Sequence, residues 1–294
     1  MTYSAAAPTL LPEKYTDPEI DGREGRHRMH QRPAPPVCLS VAGLDPSGGA
    51  GLLADVLTIR ACGGQPAAVA TALTVQDSRG AHRFEPAPVT LLRDQLTVLL
   101  ADLPVAVVKT GMLGQVATVE MLAEVLTTAP DLPLVVDPVL GASAGVSLAQ
   151  PGLASAIREV LLPRATVVTP NLAEAAALTG GPPITEPAGM RAAAQALTEH
   201  GCTALITGGH LEGVATDLLR LAGGQELWFP RGRVPGPDPR GTGCRHSAAL
   251  ATALARGCDL ARAAGEAQEY LARLLARPRL TPGRGAPHLD DLTS

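Results

Sequence analysis

The sequence predicts an α/β fold built on a mainly parallel sheet. Three observations carry that prediction. Short, nearly uninterrupted apolar runs recur along the chain. Stretches whose apolar residues repeat at helical spacing lie between them, and many runs end in glycine or polar segments. Continuous hydrophobicity suits strands covered on both faces. Strands that alternate with helices imply βαβ units. The chain has 294 residues, 46% of them hydrophobic, which is enough apolar material for one large α/β domain. Aromatic residues are only 2%, so the core must be packed from Ala, Val and Leu.

Residues 1–36 carry Pro, Arg, Glu and His without an apolar period and close in R-P-A-P-P. They read as a disordered extension, leaving residues 37–294 as a single domain. Six runs then read as buried strands: V-C-L-S-V-A-G from Val37, A-A-V-A-T-A-L-T-V from Ala67, V-A-V-V-K-T from Val105, L-V-V-D-P-V from Leu134, T-V-V-T-P from Thr166 and T-A-L-I-T-G-G from Thr203. Helical spacing is read over Val89–Leu103, Val116–Leu126 and Met190–Leu197. A last helix is read from about Asp259 to Ala276, with Leu260, Ala264, Ala267, Leu271 and Leu274 on one face. No internal repeat is visible.

Several function classes are disfavoured. A net charge of −4 argues against a nucleic-acid binder with a basic face. The five cysteines are odd in number and no C-x-x-C occurs, so neither a disulfide framework nor a zinc site is suggested. A reduced, cytoplasmic setting fits best. No apolar stretch reaches the ~18 residues of a membrane span, and the first residues lack a signal-peptide pattern. Lysine occurs only at positions 14 and 109.

In parallel sheets, ligands sit beyond the carboxyl ends of the strands. Five segments fall there. In A-G-L-D-P-S-G-G-A-G-L-L-A-D, Gly48, Gly49 and Gly51 either let backbone approach a ligand at a helix start or simply make a tight turn. K-T-G-M-L-G, from Lys109, is a ligand edge or a strand cap with a core methionine. In V-V-D-P-V, Asp137 orients a metal or phosphate, or makes an Asp-Pro turn. In T-P-N-L-A-E, Asn171 and Glu174 share one helix face and suit Mg2+ held largely through water; plain N-capping by Asn171 is the alternative. In P-R-G-T-G-C-R-H, Gly241, Thr242 and Gly243 open a helix whose free N–H groups and dipole favour an anion. Cys244 in its first turn is expected to lean toward thiolate, or to be a small buried residue. Together the segments describe a phosphoryl-transfer site.

In this order, those segments together with V-Q-D-S-R-G, G-G-H-L-E-G, A-T-D-L-L and a closing G-R-G-A-P-H resemble the hydroxymethylpyrimidine/phosphomethylpyrimidine kinases of thiamine biosynthesis, within the ribokinase-like superfamily. The resemblance runs from about Val37 to His288. It implies a three-layer αβα sandwich, often dimeric. It implies ATP and Mg2+, phosphorylation of 4-amino-5-hydroxymethyl-2-methylpyrimidine, and a second transfer that converts the monophosphate to the diphosphate. It implies that Gly43, Ala50, Gln76, Met112 and Val139 line the pyrimidine pocket, with Gln76 on the aminopyrimidine edge and Asp55 orienting the ligand or its loop. Asp137 and Glu174 fall at the metal and Asn171 near the phosphates. Gly241, Thr242, Gly243 and Cys244 form the anion hole, with Cys244 facing the acceptor oxygen. A pyridoxal kinase of the same fold and a non-catalytic pyrimidine-binding regulator are the alternatives.

Three positions depart from the family's usual pattern. Thr207 stands where lysine is usual, Arg240 where histidine is, and Arg245 where threonine is. A cation at a helix N-terminus is unfavourable unless an anion lies nearby. The expectation is therefore that Arg245, helped by Arg240, takes over phosphate charge compensation from position 207.

Overall fold

The computed structural model describes residues 34–141, 149–209, 211, 215–233 and 236–291. The chain divides into two units, Met1–Ala34 and Pro35–Ser294. The expected extension over residues 1–36 therefore lies almost wholly outside the described residues, as do His210, Glu212 and Gly213 of the G-G-H-L-E-G segment.

The strands are β1 (Val37–Leu44), β2 (Gln65–Asp77), β3 (Gly80–Pro86), β4 (Val105–Thr110), β5 (Leu134–Val136), β6 (Val167–Val168), β7 (Thr203–Ile206), β8 (Ala215–Arg220) and β9 (Glu226–Arg231). The helices are α1 (Gly51–Ala61), α2 (Val89–Asp102), α3 (Val116–Leu126), α4 (Leu153–Ala156), α5 (Leu172–Thr179), α6 (Pro187–Thr198), α7 (Thr242–Ala255) and α8 (Leu260–Leu275). One sheet runs β3-β2-β1-β4-β5-β6-β7-β8-β9. From β2 to β7 every pairing is parallel. The strands β3, β8 and β9 pair antiparallel at the two edges.

Side-chain alternation along the strands makes the three layers. Cys38, Val107, Val135, Val167 and Leu205 face one side and pack with Ile59 of α1, Leu250 of α7 and Leu271 of α8. Their neighbours Leu39, Val108, Val136, Val168 and Ile206 face the other side, against Leu96 of α2, Leu122 of α3, Leu178 of α5 and Met190 of α6. Successive residues of a strand point to opposite faces, so a strand buried on both must be apolar throughout. The αβα sandwich expected from the resemblance is the observed architecture.

The six expected strands and four expected helices are all present, with shifted ends. Helix α6 starts three residues before the expected Met190. Pro187 occupies its first position, where a preset φ helps and a missing N–H costs nothing. Helix α8 begins where Asp259 accepts a hydrogen bond from Arg262 N at 2.8 Å. Strands β3, β8 and β9 were not anticipated. They carry charged residues among their apolar ones and have no continuous hydrophobic run. The β2–β3 turn is closed by Asp77, whose Oδ1 accepts from Arg79 N and Gly80 N, an Asx-type turn.

Leu122 is fully buried whereas Val98 is 66% exposed. Leu122→Ala should lower unfolding free energy by about 2–5 kcal/mol. Val98→Ala should change it by under about 0.5 kcal/mol. Urea titration of both variants checks the pair.

Candidate active site

The parallel strands all end on one edge of the sheet, where their loops enclose a cavity of about 240 Å3. Its floor is charged. Lys109, at the end of β4, donates from Nζ to Asp55 Oδ1 and Oδ2 at 2.9 and 2.8 Å and lies 3.6 Å from Asp137 Oδ2. Asp55 also accepts from Ser40 Oγ at 2.6 Å, and Asp137 accepts from Ser247 Oγ of α7 at 2.9 Å. Burial alone would depress the Lys109 ammonium, yet the Asp55 and Asp137 carboxylates hold it above its ordinary value. Burial lifts Asp137 above the usual carboxylate range, against the pull of Lys109 and Ser247.

Glu174 lines the same cavity. The Asn171–Glu174 pair forms a capping box on α5: Glu174 N donates to Asn171 Oδ1 at 2.9 Å and Asn171 N donates to Glu174 Oε2 at 3.0 Å. The N-capping alternative is thus realised, and both residues also line the cavity. Burial pushes the Glu174 carboxyl up to about 8, helped by the Asp137 charge. Asp137 and Glu174 line the cavity together, and their oxygens suit a hard divalent cation, whose charge would draw both to the carboxylate form. Among the described residues no three His, Cys, Asp or Glu side chains are grouped to hold a metal by themselves. Such an ion would take most of its ligands from phosphate and water, as Mg2+ does.

Helix α7 is preceded by Gly241, with φ +71°. A Cβ there would collide with Gly49 O, so the two glycine loops touch backbone to backbone. The first helical N–H groups of α7 have no intrahelical partner, and the residues that carry them, Thr242, Gly243 and Cys244, line the cavity. Cys244 lines the same cavity and receives a hydrogen bond from Gly51 N–H. Burial pushes its thiol up to about 12, outweighing the nearby Lys109 charge. The expected lean toward thiolate is therefore corrected. The helix dipole is outweighed by desolvation and by the Asp137 and Asp55 charges.

Thirteen of the expected positions line the cavity together: Gly43, Ala50, Gln76, Met112, Asp137, Val139, Asn171, Glu174, Thr207, Gly241, Thr242, Gly243 and Cys244. A Cβ on Gly43 would lie 2.8 Å from Met112 Sδ, which is why glycine is needed beside that methionine. Asp55 is not in the lining; it lies beneath, committed to Lys109 and Ser40. Arg245 is a second correction. It is 1% exposed, with Nε 2.8 and 3.0 Å from the carboxylate oxygens of Asp291. Its Nη1 donates to Gly49 O at 2.9 Å. The anion that justifies a cation at this helix start is Asp291, near the end of the chain, so Arg245 binds the glycine loops rather than facing a phosphate. Sequence reasoning assigned no role to Asp45 or Lys109, both in the lining. Asp45 stood in a quoted motif as the one acid among glycines, and Lys109 was one of only two lysines.

A sheet edge that sets an anion-binding helix start against buried carboxylates defines an α/β phosphotransferase of small molecules. The chain belongs to the phosphomethylpyrimidine kinase family, whose model matches residues 45–290. It is 41% identical over 252 residues to the hydroxymethylpyrimidine/phosphomethylpyrimidine kinase of Rhizobium meliloti, covering 85% of this chain and 94% of that one. Among solved structures it resembles the Staphylococcus aureus pyridoxal kinase in complex with AMP-PCP and pyridoxal, with TM-score 0.79, 28% identity and coverage of 88% and 94%. It also resembles phosphomethylpyrimidine kinase from Clostridium difficile, with TM-score 0.71, 29% identity and coverage of 81% and 98%.

Arg245→Ala leaves Asp291 buried without its charge partner, and should cost about 3–5 kcal/mol in chemical denaturation. Arg245→Thr combined with Asp291→Asn should lose less than either single change. For Cys244, alkylation by iodoacetamide at about pH 8 should be far slower than for a free thiol, because the thiolate is scarce; mass spectrometry of the labelled peptide reads this.

Proposed function

We propose that the protein transfers the γ-phosphoryl group of ATP to 4-amino-5-hydroxymethyl-2-methylpyrimidine, and then phosphorylates the resulting monophosphate to the diphosphate. The observation that supports this best is one cavity with two kinds of lining. The Gly241–Cys244 helix start lines it together with Asp137 and Glu174, and so do Gln76, Met112 and Val139, suited to a flat heteroaromatic ring. The family relationship supports the same reading, and the AMP-PCP bound by the S. aureus relative supports ATP as donor.

In this reading the ring lies between Met112 and Val139, and its hydroxymethyl group points at Cys244. The protonated thiol orients the acceptor oxygen rather than removing its proton; phosphoryl transfer asks little of a base when positioning is good. The N–H groups of Thr242, Gly243 and Cys244 meet the transferring phosphoryl oxygens. Asp137 and Glu174 would hold Mg2+, which supplies positive charge to the phosphates when bound. Asn171 and Thr207 lie on the phosphate side. Both α5 and α7 thus present their N-termini to the anionic donor.

A second reading, pyridoxal phosphorylation, is favoured by the likeness to solved pyridoxal kinases, that of S. aureus among them. Cytoplasmic location fits the free cysteines, and among the described residues no helix is long and apolar enough to cross a membrane. Exposed Leu73 and Val75 on β2 support a homodimer.

Coupled ADP release should be fast with the pyrimidine alcohol and with its monophosphate, and slow with pyridoxal. Fast turnover of pyridoxal alone would sink the reading. Glu174→Gln should lower kcat by about 10²-fold at saturating substrate, with the loss partly recovered at high Mg2+.

A further inference from the structure

Gln76 leaves the end of β2 and donates from Nε2 to Asp45 Oδ2 at 3.1 Å. Asp45 is 2% exposed, and its carboxylate is crowded with donors. Oδ1 accepts from Ser47 N at 2.9 Å and Ser47 Oγ at 2.7 Å. Oδ2 accepts from Ala50 N at 3.1 Å and Arg240 Nη2 at 3.4 Å, besides Gln76. Arg240 is itself buried. Its Nη1 donates to Asp77 O at 2.9 Å, at the end of the strand that carries Gln76, and its backbone N donates to Pro287 O at 3.0 Å. Asp45 is thus held between the first glycine loop and the end of β2.

This arrangement settles which way round the amide sits. The two ends of a glutamine amide are nearly alike in shape, and only the bonding partner distinguishes them. A carboxylate whose oxygens are both occupied by donors accepts and does not donate. The Gln76 nitrogen must therefore turn inward to Asp45, which leaves Oε1 as the group presented to the cavity that Gln76 lines. No protein donor meets Oε1 among the described residues.

We propose that Asp45, braced by Arg240, is a specificity-determining positioning residue: it fixes the Gln76 carbonyl toward the cavity, and so selects a ring whose edge donates a hydrogen bond over one whose edge only accepts. The inference rests on the aminopyrimidine reading of this cavity. The exocyclic amine of the aminopyrimidine supplies such a donor. A methoxy group in its place would set only acceptors, its oxygen and the unprotonated ring nitrogen, against the Gln76 oxygen and leave that oxygen unpaired, the situation in which polar sites discriminate most strongly.

The test compares kcat/KM for 4-amino-5-hydroxymethyl-2-methylpyrimidine with that for its 4-methoxy analogue, whose edge only accepts, in the wild type and in Asp45→Asn. The asparagine amide can donate to Gln76 Oε1, so Gln76 is free to turn. The amino-over-methoxy preference should fall by about 10²-fold. A general loosening of the site would slow both substrates alike and leave the ratio in place. A ratio unchanged in a folded Asp45→Asn protein overturns the inference. If Asp45→Asn fails to fold, Arg240→Met carries the test; the ratio should fall about three- to tenfold, and an unchanged ratio overturns the inference. Failure of the wild type to turn over the aminopyrimidine overturns the underlying reading and the inference with it, whereas wild-type turnover with an unaltered ratio overturns the inference alone.

Discussion

The buried ammonium of Lys109 is the interaction on which the rest of the site depends. Through Asp55 and Ser40 it ties β4 to α1 and β1; through Asp137 and Ser247 it reaches the end of β5 and α7. Both glycine loops are the entrances to those two helices, so their spacing follows from where Asp55 and Ser247 are held. The network is weak as a source of stability, because desolvating a lysine and two aspartates offsets most of the Coulombic gain. What it supplies is placement. Removing Lys109 would leave Asp55 and Asp137 without their cation at 0–4% exposure, so the elements bearing them have little freedom to drift.

The same floor explains why glycine recurs in the walls. Strands that end on a shared edge must turn within a few residues, and their loops then meet. Gly241 touches Gly49 O, Gly51 touches Gly43 O, and Gly111 touches Ala42, each at a distance that a Cβ would violate. Two of the three also have positive φ, which only glycine adopts at low cost. Glycine at these points is thus required by loop-to-loop contact, which carries the tight-turn reading of the first glycine loop.

The parallel core was legible because a strand buried on both faces has a distinctive, nearly unbroken apolar signature. The edge strands β3, β8 and β9 were not, since exposed edges carry His82, Arg83, Arg220 and Glu226 where the signature would be. In the site, the residues read from motifs at strand ends came together because parallel topology delivers every strand end to one edge. The reading failed where the partner was distant in sequence. Nothing near Arg245 announces Asp291, 46 residues on, and nothing near Gln76 announces that Asp45 orients it. The Cys244 reading failed for a related reason: a helix dipole is local and visible in sequence, whereas desolvation comes from everything packed around the thiol.

The correction at Arg245 has a consequence for charge. Thr207 brings no cation to the phosphate side, and Arg245 is spent on Asp291. The cations that do line the cavity, Lys109 and Arg240, are each already matched to a carboxylate, Asp55 and Asp45. An incoming phosphate therefore finds backbone N–H groups and helix dipoles, which carry partial charges only. Burial meanwhile holds the Asp137 and Glu174 carboxyls toward their protonated forms, and a divalent ion placed on them would draw both to carboxylates and supply the charge the phosphates need. With no lysine at position 207 to share the load, the proposed metal must carry more of the neutralisation in this chain than it would beside a lysine-bearing site.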